Sequence, residues 1–176
     1  MEGMEQSYLD WRQDDARLNR AKAWPASRFP DATYHYFRDC GCLVCALAVM
    51  LRHCSAETET DEALFDPWVL NQRLVECGAF DSAADLELDR IGRLYPLEYV
   101  GEVPYARDEL AKAARDGSPC LVTVPGNRAR RHFTTLLRVL GDDALVYDPL
   151  CGTARLGSYD RPCEIRVFRF TEGQVR

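Results

Sequence analysis

Three residues of this chain have the types and the order that nucleophilic acyl transfer needs: Cys42, His132 and Asp148. A thiol attacks only as its thiolate, so a nucleophilic cysteine belongs where an anion is favoured. Cys42 opens the most apolar helical stretch of the sequence, in which Leu43, Leu47, Met50 and Leu51 recur at helical spacing. Asp39-Cys40-Gly41 before it suits a turn and a helix start. Unpaired N–H groups and the helix dipole favour an anion there by roughly 0.3–1 kcal/mol, and the same N–H groups can stabilise an oxyanion. The competing reading for any one of the eight cysteines is a buried structural thiol; position at a helix start separates Cys42 from the rest.

The chain has three histidines. His35 lies in a tyrosine-rich loop and His53 late in the central helix, whereas His132 starts a strand and can face a cleft from a rigid element. Its competing reading is a structural histidine. Asp148 ends the return strand and precedes Pro149, which alone is a common turn. As an acceptor it can hold the imidazole in one tautomer and stabilise its cation. A simple hairpin through the Gly141 turn sets Asp148 opposite about Leu136, on the face of His132 but not across from it. Contact between them therefore requires strand twist or a bulge.

The elements that must position these residues follow from periodicity and punctuation. Helices are expected over 42–53, over 67–77 with Asp66 as N-cap, Pro67 at the first position and Gly78 as the stop, over 83–94, and over 106–116. Strands are expected over 120–124, 132–140, 144–147 and 164–170. Helices first and strands second imply an α+β domain, its N-terminal helices packed on a C-terminal antiparallel sheet. At 176 residues the chain suits one domain over 31–176, with an N-terminal arm or helix over 1–30. That arm is polar with sparse apolar positions, and residues 1–25 are a candidate surface for a protein partner.

A net charge of -6 argues against nucleic-acid binding and against adsorption to an anionic membrane. No apolar run has transmembrane length, and Met1 to Arg20 has no signal-peptide core. A cytoplasmic location is expected; release by lysis or packaging in a virus particle would leave no signal either. The eight cysteines are then expected as free thiols, with a disulfide framework as the alternative.

The run Gly41-Cys42-Leu43-Val44-Cys45-Ala46-Leu47-Ala48-Val49-Met50-Leu51 resembles the nucleophile helix of bacteriocin leader-peptidase-like proteins, a branch of the papain-like cysteine peptidases. Asp66-Pro67 through Leu70-Asn71, Leu74 and Gly78 is similar to the helix that follows in that branch. Pro119 to Val124, His132-Phe133 and Val146-Tyr147-Asp148-Pro149 with Gly152 resemble its histidine and Asp-Pro strands. The resemblance runs from about Tyr36 to Gly157. It implies a papain-like fold with a cleft between helices and sheet, Cys42 as nucleophile, His132 as base and then acid, and Asp148 as the orienting residue. It implies a peptide leader or a peptidoglycan cross-link as substrate, and no cofactor. Relatives carry an oxyanion-donating glutamine shortly before the cysteine; Tyr34 to Asp39 has none. Tyr36 or Arg38 is the candidate replacement, with the Cys42 N–H alone as the other possibility.

Two other readings compete. Cys42-Leu43-Val44-Cys45 with His53-Cys54 contains a C-x-x-C, but Cys45 and Cys54 stand too far apart along one helix for one ion and no second C-x-x-C exists, so no metal is expected. A catalytically silent member of the same fold, acting as a binding or structural module, is the second. Arg128, Arg130 and Arg131 form either a solvated loop or, beside a catalytic histidine, a clamp for a substrate carboxylate, with Arg130 and Arg131 the candidates. The aromatic patch Trp24, Phe29, Tyr34, Tyr36 and Phe37 reads as core and loop packing rather than as a ligand platform.

Overall fold

In the computed structural model, residues 11–13, 21–25, 27–54, 65–126 and 131–171 are described. Helix α1 (Phe37–Cys40) runs through Gly41 into α2 (Cys42–Cys54), followed by α3 (Pro67–Glu76) and a 3-10 segment (Leu88–Arg93). Then come β1 (Leu97–Pro104), α4 (Arg107–Arg115), β2 (Cys120–Pro125), β3 (Arg131–Leu140), β4 (Asp143–Asp148), β5 (Gly152–Arg155), a 3-10 turn (Leu156–Ser158) and β6 (Glu164–Phe170). Among the described residues six strands form one sheet in the order β1-β6-β2-β3-β4-β5, every neighbouring pair antiparallel. The protein is thus α+β, with β1 and α4 interleaved between the leading helices and the rest of the sheet.

The two faces of the sheet bury different clusters. On one, α2 inserts Val44 through Leu51, all buried, against Leu121, Phe133 and Tyr147. A helix apolar on every side can only be a core helix, and Thr135 on β3 donates its hydroxyl to the Ala46 carbonyl at 2.5 Å. On the other face, Leu110 and Ala113 of α4 cover Val122, Val124, Leu136, Val146 and Ile165. Asp66 caps α3 by accepting from the N–H groups of Trp68 and Val69 at 2.9 and 3.3 Å, Pro67 takes the first position, and Gly78 follows at a φ of +70°.

Three expectations change. The helix over 83–94 shrinks to the 3-10 segment Leu88–Arg93. Asp81 accepts from the N–H groups of Ala83 and Asp85, both at 2.9 Å, and Phe80 bridges Leu86, so a side-chain turn takes the backbone groups that a helix would need. Strands β1 and β5 were not expected: β1 is an edge strand with a bulge near Gly101, and β5 has only four residues. The described residues before position 31 are not set apart as an arm. Ala23, Trp24 and Phe29 are buried in the helix-side cluster, and Asn71 of α3 donates to the Ala23 carbonyl at 2.5 Å. Among the described residues no helix is long and apolar enough to cross a membrane.

Candidate active site

Cys42 is the first residue of α2 and is partly exposed. The glycine before it is required by space: a Cβ on Gly41 would lie 2.4 Å from the ring of Phe37, which is wholly buried. The close turn from α1 to α2 thus sets where the thiol emerges. His132 lies one residue inside β3, opposite Val124 of β2. The β3–β4 ladder runs from Leu140↔Asp143 to Thr135↔Tyr147 with a register shift between Leu136 and Arg138. The odd residue is Leu137. A regular ladder from that start would put Asp148 opposite Thr135, whose side chain points at α2. The bulge carries it instead to the level of Thr134, on the face of His132 and two residues from it. This corrects the simple hairpin, which set Asp148 opposite about Leu136.

His132 and Asp148 are 7% and 4% exposed, and His132 Nε2 lies 2.7 Å from Asp148 Oδ1. With Nε2 taken, Nδ1 is the ring nitrogen left to serve Cys42, which lines the same cleft and stabilises the imidazolium from there. Burial pulls the imidazolium of His132 down, but the hydrogen bonds to Asp148 and Cys42 and the charge of both outweigh it and hold the pKa at about 9. Burial pushes Asp148 up, yet bonds from His132, Tyr159 and the Leu150 N–H, with the charge of His132, bring it to about 2. The resulting arrangement, carboxylate to imidazole to thiol, is the geometry for removing a proton from sulfur, which makes the imidazolium, and returning it to a leaving group.

The other candidate thiols lack these features. Burial first, then the neighbouring Cys42 and Asp39, push Cys40 up to about 12. A crevice of about 490 Å³ at the far end of α2 holds His53, Cys54 and Cys120. There burial raises the two thiols to about 11 and about 12, Cys54 adding to the second. Cys45 is fully buried in the core. All eight cysteines are free thiols, and among the described residues no three His, Cys, Asp or Glu side chains gather as a metal site.

Cys42, His132 and Asp148 line a cleft of about 460 Å³ between the helical part and the sheet. Arg38, Asp39 and Tyr34 line it from the helical side, Arg131 and Tyr159 from the sheet side. Arg38 Nε is 3.6 Å from Asp39 Oδ2, and Arg131 Nη1 is 3.0 Å from Glu164 Oε2. Arg128 and Arg130 lie outside the described residues. Tyr36 is not a cleft residue: it is 42% exposed, its ring stacked under the Arg38 guanidinium at 5.7 Å.

A glutamine does line the cleft, but it comes from outside the stretch Tyr34 to Asp39. Gln13 lines the cleft and is 6% exposed. Its Nε2 donates to the Arg38 carbonyl at 2.6 Å, its backbone N–H donates to the Pro149 carbonyl at 3.1 Å, and the Arg12 guanidinium donates to the Leu150 carbonyl. One of the two N–H groups of the Gln13 amide is spent on the Arg38 carbonyl. Tyr36, one of the two donor candidates, is not on the cleft wall, and no local spacing rule would have joined position 13 to position 42. Tyr159 was also missed: its hydroxyl donates to Asp148 Oδ2 at 2.5 Å, and nothing in a lone tyrosine after a turn announces that. No protein-family model matches the chain, and no curated protein matches it.

Proposed function

We propose that the protein is a papain-like, cysteine-dependent amide hydrolase or acyl transferase. Cys42 attacks the carbonyl carbon of an amide, His132 takes the thiol proton and delivers it to the departing amine, and the acyl group remains on Cys42 as a thioester. Water, or a second nucleophile, then releases it with His132 acting as base. Asp148 orients the imidazole, and the Cys42 N–H with the Gln13 amide receives the oxyanion. The observation that carries this reading is the buried His132–Asp148 pair at 2.7 Å in one cleft with Cys42, which stands at a helix start. The cleft is open enough for a peptide, and a peptide leader or a peptidoglycan cross-link is the substrate class we favour. Arg131 is placed to meet a substrate carboxylate by releasing Glu164, since an exposed ion pair is worth at most about 1 kcal/mol.

Alkylation by iodoacetamide, followed by mass spectrometry across pH 5 to 9, tests the assignment. Cys42 is expected to react at least ~10-fold faster than exposed Cys151 and Cys163, because Cys42 has an imidazole beside it whereas the carboxylate beside Cys151 pushes that thiol's pKa up. Cys42→Ala should release no product from peptide or muropeptide substrates while its unfolding midpoint stays near that of the parent. If Cys42 reacts no faster than Cys163, the fold acts as a silent binding module.

A further inference from the structure

The Asp148 carboxylate accepts more hydrogen bonds than orienting one histidine requires. Oδ1 takes His132 and the Leu150 N–H, both at 2.7 Å, and Oδ2 takes the Tyr159 hydroxyl at 2.5 Å. The residue that supplies this third donor is held in place from several sides. It follows the 3-10 turn Leu156–Ser158, whose Leu156 is buried under α4. Gly157 donates its N–H to Asp143 Oδ1 at 2.8 Å, and the Tyr159 N–H donates to the Leu156 carbonyl at 3.1 Å. Asp143 and Asp148 are the two ends of β4, so one strand anchors the turn at its start and receives the hydroxyl at its finish.

We propose that Tyr159 is a positioning residue for the Cys42–His132 reaction: by donating to Asp148 Oδ2 it fixes the carboxylate against the imidazole and draws charge from it, and so sets how firmly His132 keeps its proton. The proposal rests on the reading of Cys42 and His132 as nucleophile and base. A carboxylate that shares its charge with a phenol is a weaker partner for an imidazolium. That matters because His132 must give a proton to the leaving amine and later take one from water, and an imidazole too strongly held as its cation does the second step slowly. Tyr159 keeps its proton, since burial first and then its bond to Asp148 and that residue's charge push its pKa up.

The other groups facing this chain are few. Cys42 and Asp148 face His132; Cys151 acts on Asp148 and Tyr159 from beside them, with Arg12 acting on it in turn. Arg38, Asp39 and Arg131 are the further charged side chains on the cleft wall. If Tyr159 only packed the turn, losing its hydroxyl would change stability and leave the titration of His132 alone.

The test is the NMR titration of the His132 ring in the full chain, whose three histidines give few signals, His132 being assigned by its loss in His132→Gln. In Tyr159→Phe the His132 midpoint rises by a few tenths of a pH unit, because Asp148 keeps the charge it had shared. Tyr159→3-fluorotyrosine keeps the shape and strengthens the donor, so the midpoint falls; this arm decides alone if the Phe variant does not fold. An unmoved midpoint in either folded variant, or a shift of the same sign in both, overturns the proposal. No turnover is needed for this readout. A Cys42 that never outpaces its siblings refutes the hydrolase reading separately, while the His132 midpoints still report on Tyr159.

Discussion

At the scale of single residues, the site divides into groups whose chemistry announces itself and groups known only by what they touch. Cys42 at a helix start and His132 at a strand start belong to the first kind. Gln13 belongs to the second: its side-chain amide is held by the Arg38 carbonyl and its backbone N–H by the Pro149 carbonyl, on the cleft wall that Cys42 shares. Its expected role has a measurable size. Gln13→Ala should slow acylation of Cys42 by about 100- to 1,000-fold, the usual cost of one oxyanion donor, whereas Tyr36→Phe, outside the cleft, should leave the rate unchanged. Stopped-flow acylation with an activated thioester substrate measures both; a Gln13→Ala rate within a few-fold of the parent would leave the Cys42 N–H as sole donor.

At the scale of elements, the site depends on two local departures from regular geometry. One is the α1–α2 junction, where Phe37 packs against the bare Cα of Gly41. Gly41→Ala forces a buried ring or the start of α2 to move, and overpacking of this kind costs about 1–3 kcal/mol. Urea denaturation should show that loss, accompanied by slower alkylation of Cys42, because the thiol is carried on the segment that shifts. Full retention of both stability and Cys42 reactivity would show that Phe37 yields freely. The other departure is the Leu137 bulge, which decides the face on which Asp148 emerges. The helix from Cys42, the Asp66-Pro67 start of α3 and the strand Glu164–Phe170 were legible in the sequence, since each is written in local periodicity or caps. The helix over 83–94 was misread because Asp81 offers the backbone a competing turn.

At the scale of the molecule, the His132–Asp148 pair links stability to pH. The folded pKa of His132, about 9, lies above its ordinary 6.5, so its stabilisation is complete below 6.5 and is lost as pH rises through 9. The folded pKa of Asp148, about 2, lies below its ordinary 3.8, so its stabilisation is present above 3.8 and is lost as pH falls toward 2. Unfolding free energy should therefore decline between pH 6.5 and 9 in the parent and decline less in His132→Gln. Chemical denaturation in a pH series measures this, and parallel curves would show that the pair does not couple to folding. By itself the sequence determined the α+β class, the main helix, most strands of the sheet and the order of cysteine, histidine and aspartate, because periodicity, caps and turns act over a few residues. Tertiary structure alone decided that Asp148 comes within hydrogen-bond reach of His132, that Gln13 joins Cys42 on one cleft wall, that Tyr159 closes on Asp148 and that Trp24 and Phe29 join the core. Those contacts join residues far apart in the chain, and they exist only once sheet register and the packing of α2 bring them within hydrogen-bond or van der Waals reach.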